Sequence, residues 1–227
     1  MKRENTKLVP DEATRRVETV EVPTLLPLPF LNAVASDAPT PGGGAVAALA
    51  GALSAALAEM VAGLTVGKKY YAEVETSMRA IAAAGADLRQ KLTAAIEDDI
   101  LAFNAVMEAY RLPKDDTERP AAIDRALMQA ADVPLTVARL SLEAMRLAEQ
   151  VALQGNRNAA SDAASAGLIG LAAVESAGLN VRVNAASLAD ETMAGRYRND
   201  INTIVSEARA VRDRVVQAAE ERAGIAS

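Results

Sequence analysis

The sequence predicts an all-α fold: a helical bundle with two small-residue-rich central helices. Three observations carry that expectation. Apolar residues make up 51 % of the 227 residues while aromatics make up only 3 %, so the core must be built from small and aliphatic side chains. Alanine dominates that set, and alanine favours helix over strand. No strand-like alternation appears anywhere along the chain. The length suffices for one domain with a sizeable core.

Taken in order, residues 1–22 are polar and mixed in charge, with no apolar stretch before a cleavage site. They read as a loosely ordered lead-in, and residues 23–227 as a single all-α domain. Pro27 or Pro29 suits the first turn of a short helix through Ala35. A long apolar helix follows the glycines at 42–44 and ends at Gly67. Residues 74–110 contain no proline and read as one helix. The segment RLPKDDT, 111–117, reads as a loop, with Thr117 placed to cap a helix carrying Pro120 in its first turns. Pro134 starts or kinks the next helix, which Gly155 stops after Gln154. Asn158 or Ser161 is a candidate cap for a second weakly charged helix over 162–185. The last helix, 188–223, is charged along much of its length and is expected on the outside.

The stretch from Gly42 to Val66 carries a single ionisable group, Glu59. Its length permits a bilayer span. Its composition disfavours one: Ala and Gly contribute little transfer energy, and a glutamate within it is costly in lipid. The expected reading is a buried helix, apolar nearly all round and therefore central. Before it, Pro39 and Pro41 extend the chain, and Gly42, Gly43 and Gly44 permit φ > 0 or close approach of a ligand. The first amides of the helix have no partner within it and form a ready anion site. A plain tight turn into a crowded helix explains the glycines equally well.

What is missing excludes a great deal. With no Cys and no His, thiol and imidazole nucleophiles, serine–histidine triads and Cys/His zinc sites are all ruled out. No metal is expected. Acid–base chemistry falls to Asp, Glu, Lys or Tyr. The absence of cysteine agrees with a reducing, cytoplasmic setting. A net charge of −6 repels nucleic acid and anionic lipid, so neither is an expected partner.

The sharpest single residue is Asp99. Leu92, Asp99 and Val106 are spaced by seven, and Ile96 and Phe103 flank Asp99 on the same helical face. A carboxylate thus interrupts an apolar stripe, while Glu97 and Asp98 point elsewhere. A desolvated Asp has a raised pKa and exchanges protons closer to neutrality. A buried arginine partner or a cap across an interface explains it as well. Asn180 and Asn184 share a face of the second apolar helix, and Asn156, Asn158 and Asp162 gather before it. Such amides either bond neighbouring backbone or read a heteroaromatic edge. Lys68 and Lys69 follow a helix C-terminus, which favours cations with or without a ligand.

Five segments come in a familiar order: PTPGGGAVAALAGALSAALAEMVAGLTVGKKYY, EDDILAFNAVMEAYRLPK, VPLTVA, GNRNAASDA and LNVRVNAASLAD. Together they resemble the cyclodeaminase/cyclohydrolase family, which includes the C-terminal half of formiminotransferase-cyclodeaminase and free-standing methenyltetrahydrofolate cyclohydrolases. The resemblance spans about residues 25–208. It implies an all-α homodimer that binds a tetrahydrofolate derivative, polyglutamylated or not, and needs no other cofactor. The family's proton-accepting Asp falls on Asp99. Gly42–Gly44, Lys68 and Lys69 match positions that the resemblance implies face the folate, with Asn156, Asp162, Asn180 and Asn184 as further contacts. The wording of the motifs is nearer to the free-standing cyclohydrolases. That implies hydrolysis of 5,10-methenyltetrahydrofolate to 10-formyltetrahydrofolate. A cyclodeaminase that releases ammonia, and a non-catalytic folate-binding dimer, are the other readings.

Overall fold

A computed structural model describes residues 27–225. The expected lead-in over 1–22 lies outside the described residues. Six α-helices account for most of them: α1 (Leu28–Val34), α2 (Gly43–Thr65), α3 (Glu75–Arg111), α4 (Arg119–Gln154), α5 (Ala160–Ala185) and α6 (Glu191–Ala223). Short 3₁₀ turns, Lys69–Val74 and Arg157–Ala159, precede α3 and α5. No strand occurs among the described residues.

The helices form two layers. α4 touches α2, α3, α5 and α6, and so is the true centre of the bundle. α2 and α5 lie side by side over the layer formed by α3, α4 and α6. Their small residues let backbones approach: the buried Ser54 hydroxyl donates to Ala166 O at 2.8 Å, and a Cβ on Gly170 would lie 2.8 Å from Ser54 Oγ. Glu59, the one ionisable group in α2, is held by Arg89 of α3 at 2.9 Å.

The expectation that α2 and α5 are the central helices of the bundle is corrected in one respect. Each has a bare outer stripe. Val46, Leu53, Met60 and Leu64 are exposed on α2, and Leu168, Leu179 and Val183 on α5. Being apolar all round does not distinguish a central helix from one with a second apolar face left over. By length and composition both helices could cross a membrane, yet about half of each apolar window is buried within the protein.

Two helix boundaries also differ from expectation. Pro134 does not start or break a helix; it sits buried inside a continuous α4. A proline at 134 leaves the carbonyl of Ala130 without its usual i+4 amide. Asn184 of α5 supplies the missing donor, its Nδ2 bonding to Ala130 O at 2.5 Å. Thr117 is not a cap, since α4 begins after Glu118 with no side-chain cap. Neither Asn158 nor Ser161 caps α5; instead Asn156 Oδ1 accepts from the Asn158 amide in the 3₁₀ turn before it. Asp190 caps α6.

Candidate active site

α2 begins directly at Gly43, with Gly42 as an extended N-cap that offers no side chain. Residues 42–44 do not adopt positive φ; that conformation is confined to Gly67 and Gly224 among the described residues. The need for glycine is steric, and it sits at one position. A Cβ on Gly44 would lie 1.9 Å from Asp99 Oδ1 and 2.6 Å from its Cγ. The Asp99 carboxyl group occupies the space a side chain at 44 would fill.

The anion site expected at the start of α2 therefore exists, and the protein's own carboxylate holds it. The Ala45 amide in the first turn of α2 bonds Asp99 and favours its charged form. Burial acts more strongly in the opposite direction, and the pKa of Asp99 is raised above the ordinary carboxylate range. Asp99 is half-buried on α3, while Glu97 and Asp98 are exposed, as the apolar stripe predicts.

Asp99 faces a cavity of about 330 Å³ that also takes in Gly42, Gly43 and Gly44, together with Asn180 and Asn184 from α5. Six of the residues singled out from sequence thus meet at one place. The apolar stripe around Asp99 forms one wall, and Tyr110, which the sequence reading did not include, extends it. Phe103, Val106 and Tyr110 continue the Asp99 stripe at four, seven and eleven residues, a helical spacing that places them here. Asn180 Nδ2 donates to Ser176 O at 3.0 Å and Asn184 Nδ2 to Ala130 O. Each amide thus commits a donor to backbone. Among the described residues no lysine or arginine lines this cavity.

The remaining four residues are elsewhere. Lys68 and Lys69 follow the C-terminus of α2, about 33 Å from Gly43 by helical rise. Asn156 lies beside them, its backbone N–H donating to Thr65 Oγ1 at 2.8 Å and its Nδ2 to Leu64 O at 3.1 Å. Lys68 and Asn156 line a separate cavity of about 870 Å³ at that end. Lys69 and Asp162, the latter in the first turn of α5, line neither cavity. One protomer does not bring these four residues to Asp99.

Chemically, the Asp99 cavity offers one proton acceptor in an apolar surround, with acceptor oxygens nearby and no compensating cation. That suits a cationic or electrophilic centre. Comparison with known proteins points the same way. The formiminotransferase-cyclodeaminase family model matches residues 28–203. A protein from Methylorubrum extorquens named methenyltetrahydrofolate cyclohydrolase is 45 % identical over 197 residues, covering 85 % of this chain and 95 % of that one. Pig formimidoyltransferase-cyclodeaminase is 32 % identical over 197 residues, 85 % of this chain but 36 % of that longer protein. The crystal structure of formiminotetrahydrofolate cyclodeaminase from Thermotoga maritima superposes with a TM-score of 0.75 at 34 % identity, covering 90 % of this chain and 98 % of that one.

Proposed function

The chain belongs to the formiminotransferase-cyclodeaminase family, and from that premise we propose that it is an enzyme that hydrolyses 5,10-methenyltetrahydrofolate to 10-formyltetrahydrofolate. The observation that carries the reading is the Asp99 carboxyl group, raised in pKa and facing a cavity that no cation lines among the described residues. The 45 % identity to a cyclohydrolase over nearly the full length of both chains supports this reaction over deamination.

The methenyl carbon between N5 and N10 is already cationic and electrophilic. Its approach to Asp99 offsets the burial that disfavours the carboxylate, so binding favours the ionised form of the base. Asp99 orients a water molecule and takes one of its protons as the oxygen bonds to carbon. A tetrahedral carbon results. Its bond to N5 then breaks, N5 takes a proton, and the formyl group remains on N10, with one proton released overall. The apolar wall of Phe103, Val106 and Tyr110 covers the face of the pteridine. The oxygens of Asn180 and Asn184 accept from its N–H edge.

The test is loss of the near-ultraviolet absorbance of methenyltetrahydrofolate above its spontaneous rate. Asp99→Asn keeps the shape and removes the base; a loss of about 10²–10⁴-fold is expected. Full activity in that variant overturns the assignment. Ammonia release from formiminotetrahydrofolate without hydrolysis of the methenyl form would instead make the chain a cyclodeaminase.

The bare faces of α2 and α5 call for a second copy of the chain. Two helices about 33 Å long and 8–10 Å apart present on the order of 600 Å², near the share one partner contributes to a stable interface. A solution mass of twice 23.6 kDa is expected; a monomer at micromolar concentration rejects the dimer.

A further inference from the structure

Pro134 is a costly residue where it stands, and the hydrolysis reading leaves it unexplained. Among the described residues it is the one proline inside a helix rather than in a first turn. A proline there removes a main-chain bond and presses its ring against the carbonyl of residue i−4. It is buried within α4 and neither starts nor ends that helix.

The carbonyl it frees belongs to Ala130, which lines the Asp99 cavity. Asn184 of α5 lines it too, and its Nδ2 donates to Ala130 O at 2.5 Å. A carbonyl only accepts, so this bond fixes which way the amide faces. The nitrogen points at α4, and Oδ1 has no hydrogen-bond partner among the described residues. An amide at position 134 would take that carbonyl for the helix and leave the Asn184 side chain free to turn. The same stretch of α4 is clamped from α6, where the Tyr197 hydroxyl donates to Asp132 Oδ1 at 2.7 Å. Neither of those two residues lines the cavity.

We infer that Pro134 is a positioning residue for the Asp99 cavity: by withholding an amide from Ala130 O, it holds Asn184 as a fixed acceptor toward the ligand. The consequence is specificity. The wall accepts a ligand edge that carries N–H donors opposite Asn184 and rejects one that carries acceptors, because two facing acceptors leave both unpaired. The kinetic form of this proposal rests on the hydrolysis reading above.

Pro134→Ala supplies the missing amide and frees Asn184. KM for methenyltetrahydrofolate should rise at least about fivefold, the worth of one hydrogen bond. Asp99 stands on α3 and is untouched, so kcat should stay within about twofold, and the thermal midpoint should not fall. Pro134→Val fills more of the space of the ring, carries the same amide and should behave alike. Added to Asn184→Ala, the proline change should raise KM no further, since it acts through that side chain. Tyr197→Phe loosens the same stretch without touching the Ala130–Asn184 bond, and should lower the midpoint while leaving KM alone. Heteronuclear NMR of the Asn184 side-chain amide, assigned by its disappearance in Asn184→Ala, reads the positioning without any activity. One of its N–H groups should exchange slowly in the native protein and quickly in Pro134→Ala. If the native protein does not hydrolyse the methenyl form, the function reading falls and this comparison still decides the positioning. An Asn184 amide signal unchanged by the proline variants, an unchanged KM in both of them, or a KM that rises as much in Tyr197→Phe overturns the proposal.

Discussion

The two ends of the α2–α5 pair are built from the same small residues and carry opposite chemistry. At one end an uncapped first turn of α2 meets a carboxyl group, Asp99, in a small cavity that no cation lines among the described residues. At the other, α2 ends and Lys68 follows it into a broad cavity that Arg157 and Arg222 also line. The polarity of α2 alone fits the division, while the antiparallel α5 runs the other way. The amide end of a helix favours an anion and the carbonyl end tolerates cations. What differs is who supplies the counter-charge. At the Asp99 end the protein supplies its own anion, and burial then makes that anion reactive. At the lysine end Lys68, Arg157 and Arg222 have no ion-pair partner among the described residues.

The strongest way to break this contrast is to remove the space that Asp99 occupies. Gly44→Ala places a methyl group where the carboxyl group now sits, 1.9 Å from Oδ1. The carboxyl is the end of a side chain, so it can swing away at modest cost to stability. In doing so it loses the Ala45 amide and its aim into the cavity. Hydrolysis should fall by at least about tenfold, as expected for a displaced catalytic group, with a nearly unchanged thermal midpoint. Normal activity in Gly44→Ala would show that the glycine serves only the turn, and that Asp99 need not touch α2.

Much of this was legible in the sequence, and the parts that were not have a common cause. The stripe at 92, 99 and 106 placed Asp99 on an apolar face because helical spacing is local, and the structure keeps it there. The glycines were legible as a special turn, but which of the three matters depends on a side chain 55 residues later. Asn184 looked like a ligand contact. Its Nδ2 also completes the bonding of Ala130 that Pro134 interrupts, a repair between α4 and α5 that no local pattern reveals. Lys68 and Asp99 were grouped by motif. Their separation follows from the length of α2 once that helix is known to be straight and unbroken. Arg222, near the C-terminus, reaches its cavity only because α6 runs back along α4 and α5.

A finer test asks whether burial or the amide dominates at Asp99. Burial raises its pKa in the folded protein above the ordinary carboxylate value, so the fold binds that proton more tightly than the unfolded chain does. The stability this contributes is fully present below the ordinary carboxylate range and is lost as pH rises through the folded value. Above the folded value the native protein has lost it. An asparagine carries no charge at any of these pH values and does not suffer the loss. Asp99→Asn should therefore melt higher than the native protein at neutral pH, and the gap should close as the pH falls below the ordinary carboxylate range. The gap is small because solvent reaches the half-buried group and screens it; in a domain of this length a few degrees, about what 1 kcal/mol produces, is the upper end. Paired melts of the two proteins across that pH range read it directly. A variant that melts lower at neutral pH would mean that the Ala45 amide outweighs burial, and that Asp99 is a structural cap on α2 before it is a base.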